Sequence, residues 1–202
     1  WLAVQLSDFF LLDNSKYLDI GCSTGRLADK ISEHLPKSRR DVIFELVDPV
    51  KSMIDYCNDN LLKRSCISYN LHNYSAFDHD WQPLDYDYIT ALYTIQFIHP
   101  KSRQHIINNI YSSLNWGGAF LMTDKVRAPD ARFQDIVTQI HHEFKRDNLF
   151  DDINIMAKQR SLRGVMEPFS TNANLDMLKR AGFTDIMTIA KMINFETFLA
   201  IK

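Results

Sequence analysis

The hydrophobic positions of this chain alternate between short unbroken runs and runs that repeat every three to four residues. That alternation predicts strand–helix–strand units on a parallel sheet. Residues 17–20, Tyr-Leu-Asp-Ile, make the first expected strand. Leu27, Ala28, Ile31 and Leu35 follow at helical spacing, and Pro36 closes that helix. A second run, 42–47, is almost wholly apolar, as a strand covered on both faces should be. Met53, Ile54, Cys57 and Leu61 mark the next helix, and a short third strand is expected at 66–69. The polar stretch 70–85 reads as a loop. Residues 86–93 make a fourth strand, and Pro100 starts a helix carrying Ile106, Ile107, Ile110, Tyr111 and Leu114. Trp116-Gly117-Gly118 reads as the turn into a fifth strand at 119–123.

Three further helices are expected. The first, 129–144, carries Phe133, Ile136, Val137, Ile140 and Phe144 on one face; the second lies around 153–165, and the last, near 175–181, ends at Gly182. Two strand-like runs close the chain, 186–190 and 195–201. Too few residues separate them for a crossover helix, so they must be antiparallel neighbours. The expected fold is therefore α/β and Rossmann-like, a mostly parallel seven-stranded sheet ending in an antiparallel hairpin. It is expected to be a single domain over residues 1–202, with a small helical cap inserted at about 127–170.

Bulk properties narrow this little further. The chain has 202 residues, 46% hydrophobic and 24% charged, which suits one domain with an ordinary core. A net charge of −2 gives no global attraction to nucleic acid or anionic membrane. No apolar run approaches a membrane span, and no signal-peptide pattern opens the chain. Cys22, Cys57 and Cys66 lack metal-ligand spacing and suit a reducing cytoplasm. The expectation is a cytoplasmic protein with a small-molecule substrate, no direct nucleic-acid or membrane partner and no metal; a homodimer is compatible with it.

The most informative stretch is "YLDIGCSTGRLADKI", residues 17–31. Its Gly21-Cys22-Ser23-Thr24-Gly25 matches the G-x-S-x-G nucleophile elbow, which would make Ser23 an acyl-enzyme serine. An elbow needs an upstream strand and loop to supply half of the oxyanion hole, and only about fifteen residues precede this strand. A dinucleotide loop needs G-x-G-x-x-G, which is absent. What remains is an acid at the end of strand one, Asp19, before G-x-x-x-G, and a second acid, Asp48, ending strand two. That pattern suits S-adenosylmethionine: a carboxylate near strand one for its ammonium, another at strand two for its ribose hydroxyls, and glycines for close backbone approach. Asp48 as a cap on the following helix is the structural alternative. Ser23 then lines a pocket.

With "YLDIGCSTG", "ELVDPVKSMID", "YTIQFIHP" and "LNWGGAFLMTDK" in that order, the chain resembles a class I S-adenosylmethionine-dependent methyltransferase. Through "TIQFIHP", "IHHEFKRDN", "KQRSLRGVM" and "INFETFLAIK" it resembles, more narrowly, the carboxy-S-adenosylmethionine synthase family. That family makes carboxy-S-adenosylmethionine from S-adenosylmethionine and prephenate, for modification of the tRNA wobble uridine. The resemblance implies a cofactor site of Asp19, Gly21, Cys22, Ser23, Gly25, Asp48, Pro49, Met53, Asn70, Leu71, Leu92 and Tyr93. The family has an asparagine where Leu92 stands and an acid in the stretch occupied here by Asn70, Leu71 and His72. Asn70, His72 or the backbone must therefore meet the adenine.

The family also has Lys-Arg where this chain has Lys158-Gln159, and that arginine is expected to hold the extra carboxylate. Arg160 is about 100° around a helix from that position, whereas Arg163 shares the face of Gln159. Tyr93, His142, Gln159, Arg160 and Arg163 are the expected substrate contacts. His141-His142 without an H-E-x-x-H frame gives no metal site. A neutral residue at 159 favours ordinary S-adenosylmethionine, so the leading expectation is methyl transfer to a small-molecule acceptor. Synthesis of carboxy-S-adenosylmethionine is the alternative, and Gln159→Arg should shift preference toward the carboxylated cofactor.

Overall fold

The computed structural model describes residues 1–39, 41–60 and 68–202. Along the chain come α1 (Leu2–Phe10), β1 (Lys16–Ile20), α2 (Arg26–His34), β2 (Ile43–Val47), α3 (Lys51–Asn60), β3 (Ser68–His72) and β4 (Tyr86–Leu92). A 3-10 turn (Ile95–Phe97) leads into α4 (Pro100–Ser113) and β5 (Leu114–Lys125). There follow α5 (Ala131–Asp147), α6 (Asp152–Ser161), α7 (Thr171–Ala181), β6 (Asp185–Met192) and β7 (Phe195–Ile201). Leu61, Cys66 and the start of the expected third strand lie outside the described residues.

The sheet order is β3-β2-β1-β4-β5-β7-β6, with β7 antiparallel to both neighbours and the other pairs parallel. The chain reverses direction across the sheet between β1 and β4, and ligands of open α/β sheets bind beyond the strand ends at such a switch point. Alternate residues of the central strands feed two cores. Leu18, Ile20, Ile89 and Phe120 pack under α4 and α7, and Tyr17, Phe44, Tyr88 and Leu121 pack under α1 to α3. Central strands buried on both faces explain their unbroken apolar runs.

The structure adds one helix and corrects one turn. α1 is not among the expected elements; it is a nine-residue helix that buries Ala3 and Ser7. It is held by its own docking: Tyr88 donates its hydroxyl hydrogen to Ala3 O at 3.2 Å, and Arg39 donates to Asp8 O at 2.9 Å. Trp116-Gly117-Gly118 is an irregular start of β5 rather than a separate turn, with Gly117 N donating to Lys202 O at 2.8 Å.

The cap helices carry the third surprise. α5 has no buried residue, and Phe133, Ile136, Ile140 and Phe144 are each 41–49% exposed. Its other face, with Gln134, Thr138, His141, His142 and Lys145, turns toward the strand ends. Asp130 and Asp151 cap α5 and α6 by accepting from Phe133 N and Asn154 N. No helix among the described residues is long and apolar enough to cross a membrane.

Candidate active site

The loop after β1 is built by left-handed turns. Gly21 adopts φ +74°, and a Cβ there would lie 2.3 Å from Thr94 Oγ1, so only glycine fits. Gly21 N and Cys22 N both donate to Val47 O, at 2.8 and 3.1 Å. Ser23 sits at φ +51°, and Gly25, at φ +71°, opens α2. Asp48, at the tip of β2, accepts from Ser23 N at 2.9 Å through Oδ2 and from Val50 N at 2.8 Å through Oδ1. One carboxylate thus ties the β1 and β2 loops together. It accepts two of the roughly four hydrogen bonds it can take, which leaves capacity for two ligand hydroxyls. The capping alternative and the ribose reading are compatible in one side chain.

Asp19 is buried behind this loop. Thr90 Oγ1 donates to Asp19 Oδ1 at 2.7 Å, so the Tyr17 hydroxyl, 2.7 Å from Thr90 Oγ1, must donate in turn. Burial raises Asp19 to about 7, Thr90 opposes the shift and Asp48 adds to it. A carboxyl raised in the folded state contributes stability below its unfolded value of 3.8, which is lost as pH rises through about 7. Asp19→Asn keeps the acceptor for Thr90 and removes the titration. Its melting temperature should therefore fall less than wild type's between pH 4 and pH 8, a difference of roughly 4 kcal/mol at about 1.4 per unit. Parallel melting curves for the two proteins across that range would contradict the assignment.

Two adjoining cavities open at the C-terminal ends of the strands, and Phe97 lines both. The first, about 270 Å³, is lined by Ile20, Gly21, Val47 and Pro49 on one side and by Ser75, Phe77, Thr94 and His99 on the other. The second, about 560 Å³, lies under the cap. Tyr93, at φ +59° and 51% exposed, stands at its mouth with its ring edge-on to Phe195.

The fold and the loop geometry fit a known group of proteins. Residues 18–118 match the methyltransferase domain model. The chain is 34% identical over 201 residues to the carboxy-S-adenosyl-L-methionine synthase of Campylobacter lari, covering 100% of this chain and 83% of the relative. It is 33% identical over 197 residues to the synthase of the same name from Staphylococcus epidermidis, covering 98% and 83%. Among solved structures it resembles phosphoethanolamine N-methyltransferase 2 of Haemonchus contortus, in complex with S-adenosyl-L-methionine (TM-score 0.68, 17% identity). That likeness covers 100% of this chain and 51% of that one. The chain belongs to the class I S-adenosylmethionine-dependent methyltransferases. It is a transferase of that family, and S-adenosylmethionine is its cofactor.

The family site, as expected from sequence, is distributed unevenly over the two cavities. Gly21 and Pro49 line the first. Cys22, Ser23, Gly25, Asp48 and Met53 form the loop framework beside it, with Ser23 Oγ 3.7 Å from Met53 Sδ. Among the described residues no histidine or acid accepts from that hydroxyl; Ser23→Ala should retain turnover, and a serine-directed phosphonate should leave no adduct by mass spectrometry. Leu71 and Leu92 pack against the core under α1 to α3. Asn70 donates to Glu45 Oε1 at 2.9 Å, and His72 Nε2 lies 2.5 Å from Glu45 Oε2. Both side chains considered for adenine thus each share one hydrogen bond with a buried acid one strand away.

Tyr93, His142, Gln159 and Arg163 line the second cavity; Arg160 does not. Sequence reasoning missed most of its electrostatics. Lys125, Lys145 and Lys158 join Arg163 in the lining, and no aspartate or glutamate does. None of these four side chains has an ion-pair partner among the described residues. Burial lowers Lys125 and Lys145, with Lys145 adding to the first and Lys158 to the second. His141 is pushed down to about 4, by burial first and then by Lys145, Lys125 and His142, so it is neutral at pH 7. Lys125 was recognisable as the residue at the C-terminal end of β5. Lys145 was not singled out because the helical pattern of α5 does not show which of its sides faces the cavity.

Proposed function

We propose that the enzyme binds S-adenosylmethionine across the first cavity and a carboxylate-bearing small molecule in the second, and that it makes carboxy-S-adenosylmethionine. The single observation that carries this reading is the acid-free lining with four cations. Like charges collected around one cavity cost free energy until an anion arrives. A sulfonium alone adds to that repulsion. A carboxylate on the sulfonium methyl group, or a dicarboxylate such as prephenate beside it, relieves it. The names of the relatives agree.

In this reading Asp48 takes the ribose hydroxyls, Asp19 faces the amino-acid ammonium, and the backbone near β3 meets the adenine. Residues of about 127–170 act as a cap, and Arg163 with Lys158 takes over from the arginine that the family carries at the position of Gln159. The expectation of a preference for ordinary S-adenosylmethionine rested on residue 159 alone, and the surrounding cations reverse it. Methyl transfer to an anionic acceptor is the second reading, favoured by Gln159 itself. Binding competition decides between them: carboxy-S-adenosylmethionine should displace S-adenosylmethionine from the wild type, and Gln159→Arg should strengthen that preference by about tenfold or more. Equal affinity of wild type for both cofactors would support the second reading.

A further inference from the structure

Two thiols meet beneath the cofactor loop. Cys57 Sγ donates to Ser23 O at 3.2 Å, and Cys22 Sγ lies 3.8 Å from the same oxygen. The two sulfurs thus converge on one carbonyl oxygen. Both are buried and unoxidised. Cys22 belongs to the loop itself, between Gly21 and Ser23, while Cys57 is on α3. Their proximity lowers Cys57 and raises Cys22, while burial raises both. Methyl or carboxymethyl chemistry needs no thiol as a reacting group.

We propose that Cys22 and Cys57 form a reversible disulfide that switches the cofactor loop from a binding to a non-binding form. The oxidant class is a peroxide. The Cys57 thiolate attacks one peroxide oxygen and the O–O bond breaks, giving a sulfenic acid and, after protonation, water. The Cys22 sulfur then attacks the sulfenic sulfur; the S–S bond forms, and the hydroxyl leaves with the Cys22 proton as a second water. Two thiols lose two electrons and the peroxide gains them. A dithiol reverses the step by exchange.

The consequence for the loop follows from geometry. A disulfide holds its sulfurs at about 2.05 Å with a restricted torsion, and both S–H groups that face Ser23 O are gone. Ser23 is the residue whose N–H holds Asp48. Moving its peptide releases the acid that takes the ribose in the reading above, on which the functional half of this proposal rests. Formation of the bond itself does not depend on that reading.

The experiment treats the full chain with hydrogen peroxide, alkylates free thiols, maps the peptides by mass and measures S-adenosylmethionine affinity before and after. The expected result is a Cys22–Cys57 linked peptide, an affinity lower by about tenfold or more, recovery with dithiothreitol, and slower oxidation when cofactor is present. Cys57→Ser should bind normally and lose the response. Linkage through Cys66 instead, or two thiols that remain alkylatable, would overturn the pair. A linked peptide with unchanged affinity overturns the switch while leaving the pair. Loss of affinity in Asp48→Ala tests the cofactor reading independently. If Cys57→Ser fails to fold, the wild-type peptide map and its affinity decide.

Discussion

Asp48→Ala is expected to weaken S-adenosylmethionine binding by about 30- to 1,000-fold, or roughly 2–4 kcal/mol. Two losses contribute. The ribose loses two charge-assisted acceptors, each worth about 1.5–3 kcal/mol before water compensates. The loop loses its strut, because Ser23 N and Val50 N both donate to this carboxylate. Those two N–H groups become unpaired beside a buried position, so a drop in stability of about 1–3 kcal/mol accompanies the change. Asp48→Asn separates the contributions. It keeps one carbonyl acceptor but presents an NH₂ to the other donor, so its affinity should fall between those of wild type and Asp48→Ala. Titration calorimetry with a parallel melt reads both quantities. Unchanged affinity in Asp48→Ala would remove Asp48 from the cofactor site.

Arg163→Ala is the second large effect. Arg163 is the only guanidinium among the described residues lining the second cavity, and a guanidinium can hold a carboxylate through two parallel bonds. Its loss should weaken carboxy-S-adenosylmethionine by about 10- to 150-fold, one charge-assisted interaction of roughly 1.5–3 kcal/mol. The same change should leave S-adenosylmethionine binding unchanged or tighter, because a cation near the sulfonium has been removed. Lys158→Ala should act in the same direction with a smaller effect, since an ammonium offers a point charge rather than a fork. A uniform loss for both cofactors would mean that Arg163 supports the cap instead of the carboxylate.

These expectations rest on features of unequal legibility. The sheet was readable because its strands are buried on both faces and its helices are amphipathic, so unbroken apolar runs gave way to period 3.6 at each boundary. The closing hairpin was legible from the short gap between the runs 186–190 and 195–201. The glycines and acids of the first two loops were readable because their chemistry is local: a left-handed turn needs Gly21, and a strand tip places Asp48.

The cap illustrates the harder limit. The sequence shows which residues share the apolar stripe, but only the fold shows that His141, His142 and Lys145 together face the cavity. Without that orientation, Lys125 at the end of one strand and Lys158 on a separate helix have no reason to be considered together. Charge in a pocket is a property of assembly, and it changed the balance that Gln159 alone had set. Asn70 is a second case. Its position in the sequence suits an adenine contact, but the parallel register places it opposite Glu45, which accepts from its amide.

The most direct test of the account is the mass of the product formed when the enzyme is given S-adenosylmethionine and prephenate together. The account predicts a species heavier than S-adenosylmethionine by one carbon dioxide less one proton, with prephenate consumed and Arg163→Ala impaired. Demethylated cofactor accompanied by a methylated acid, and no carboxylated species, would contradict it.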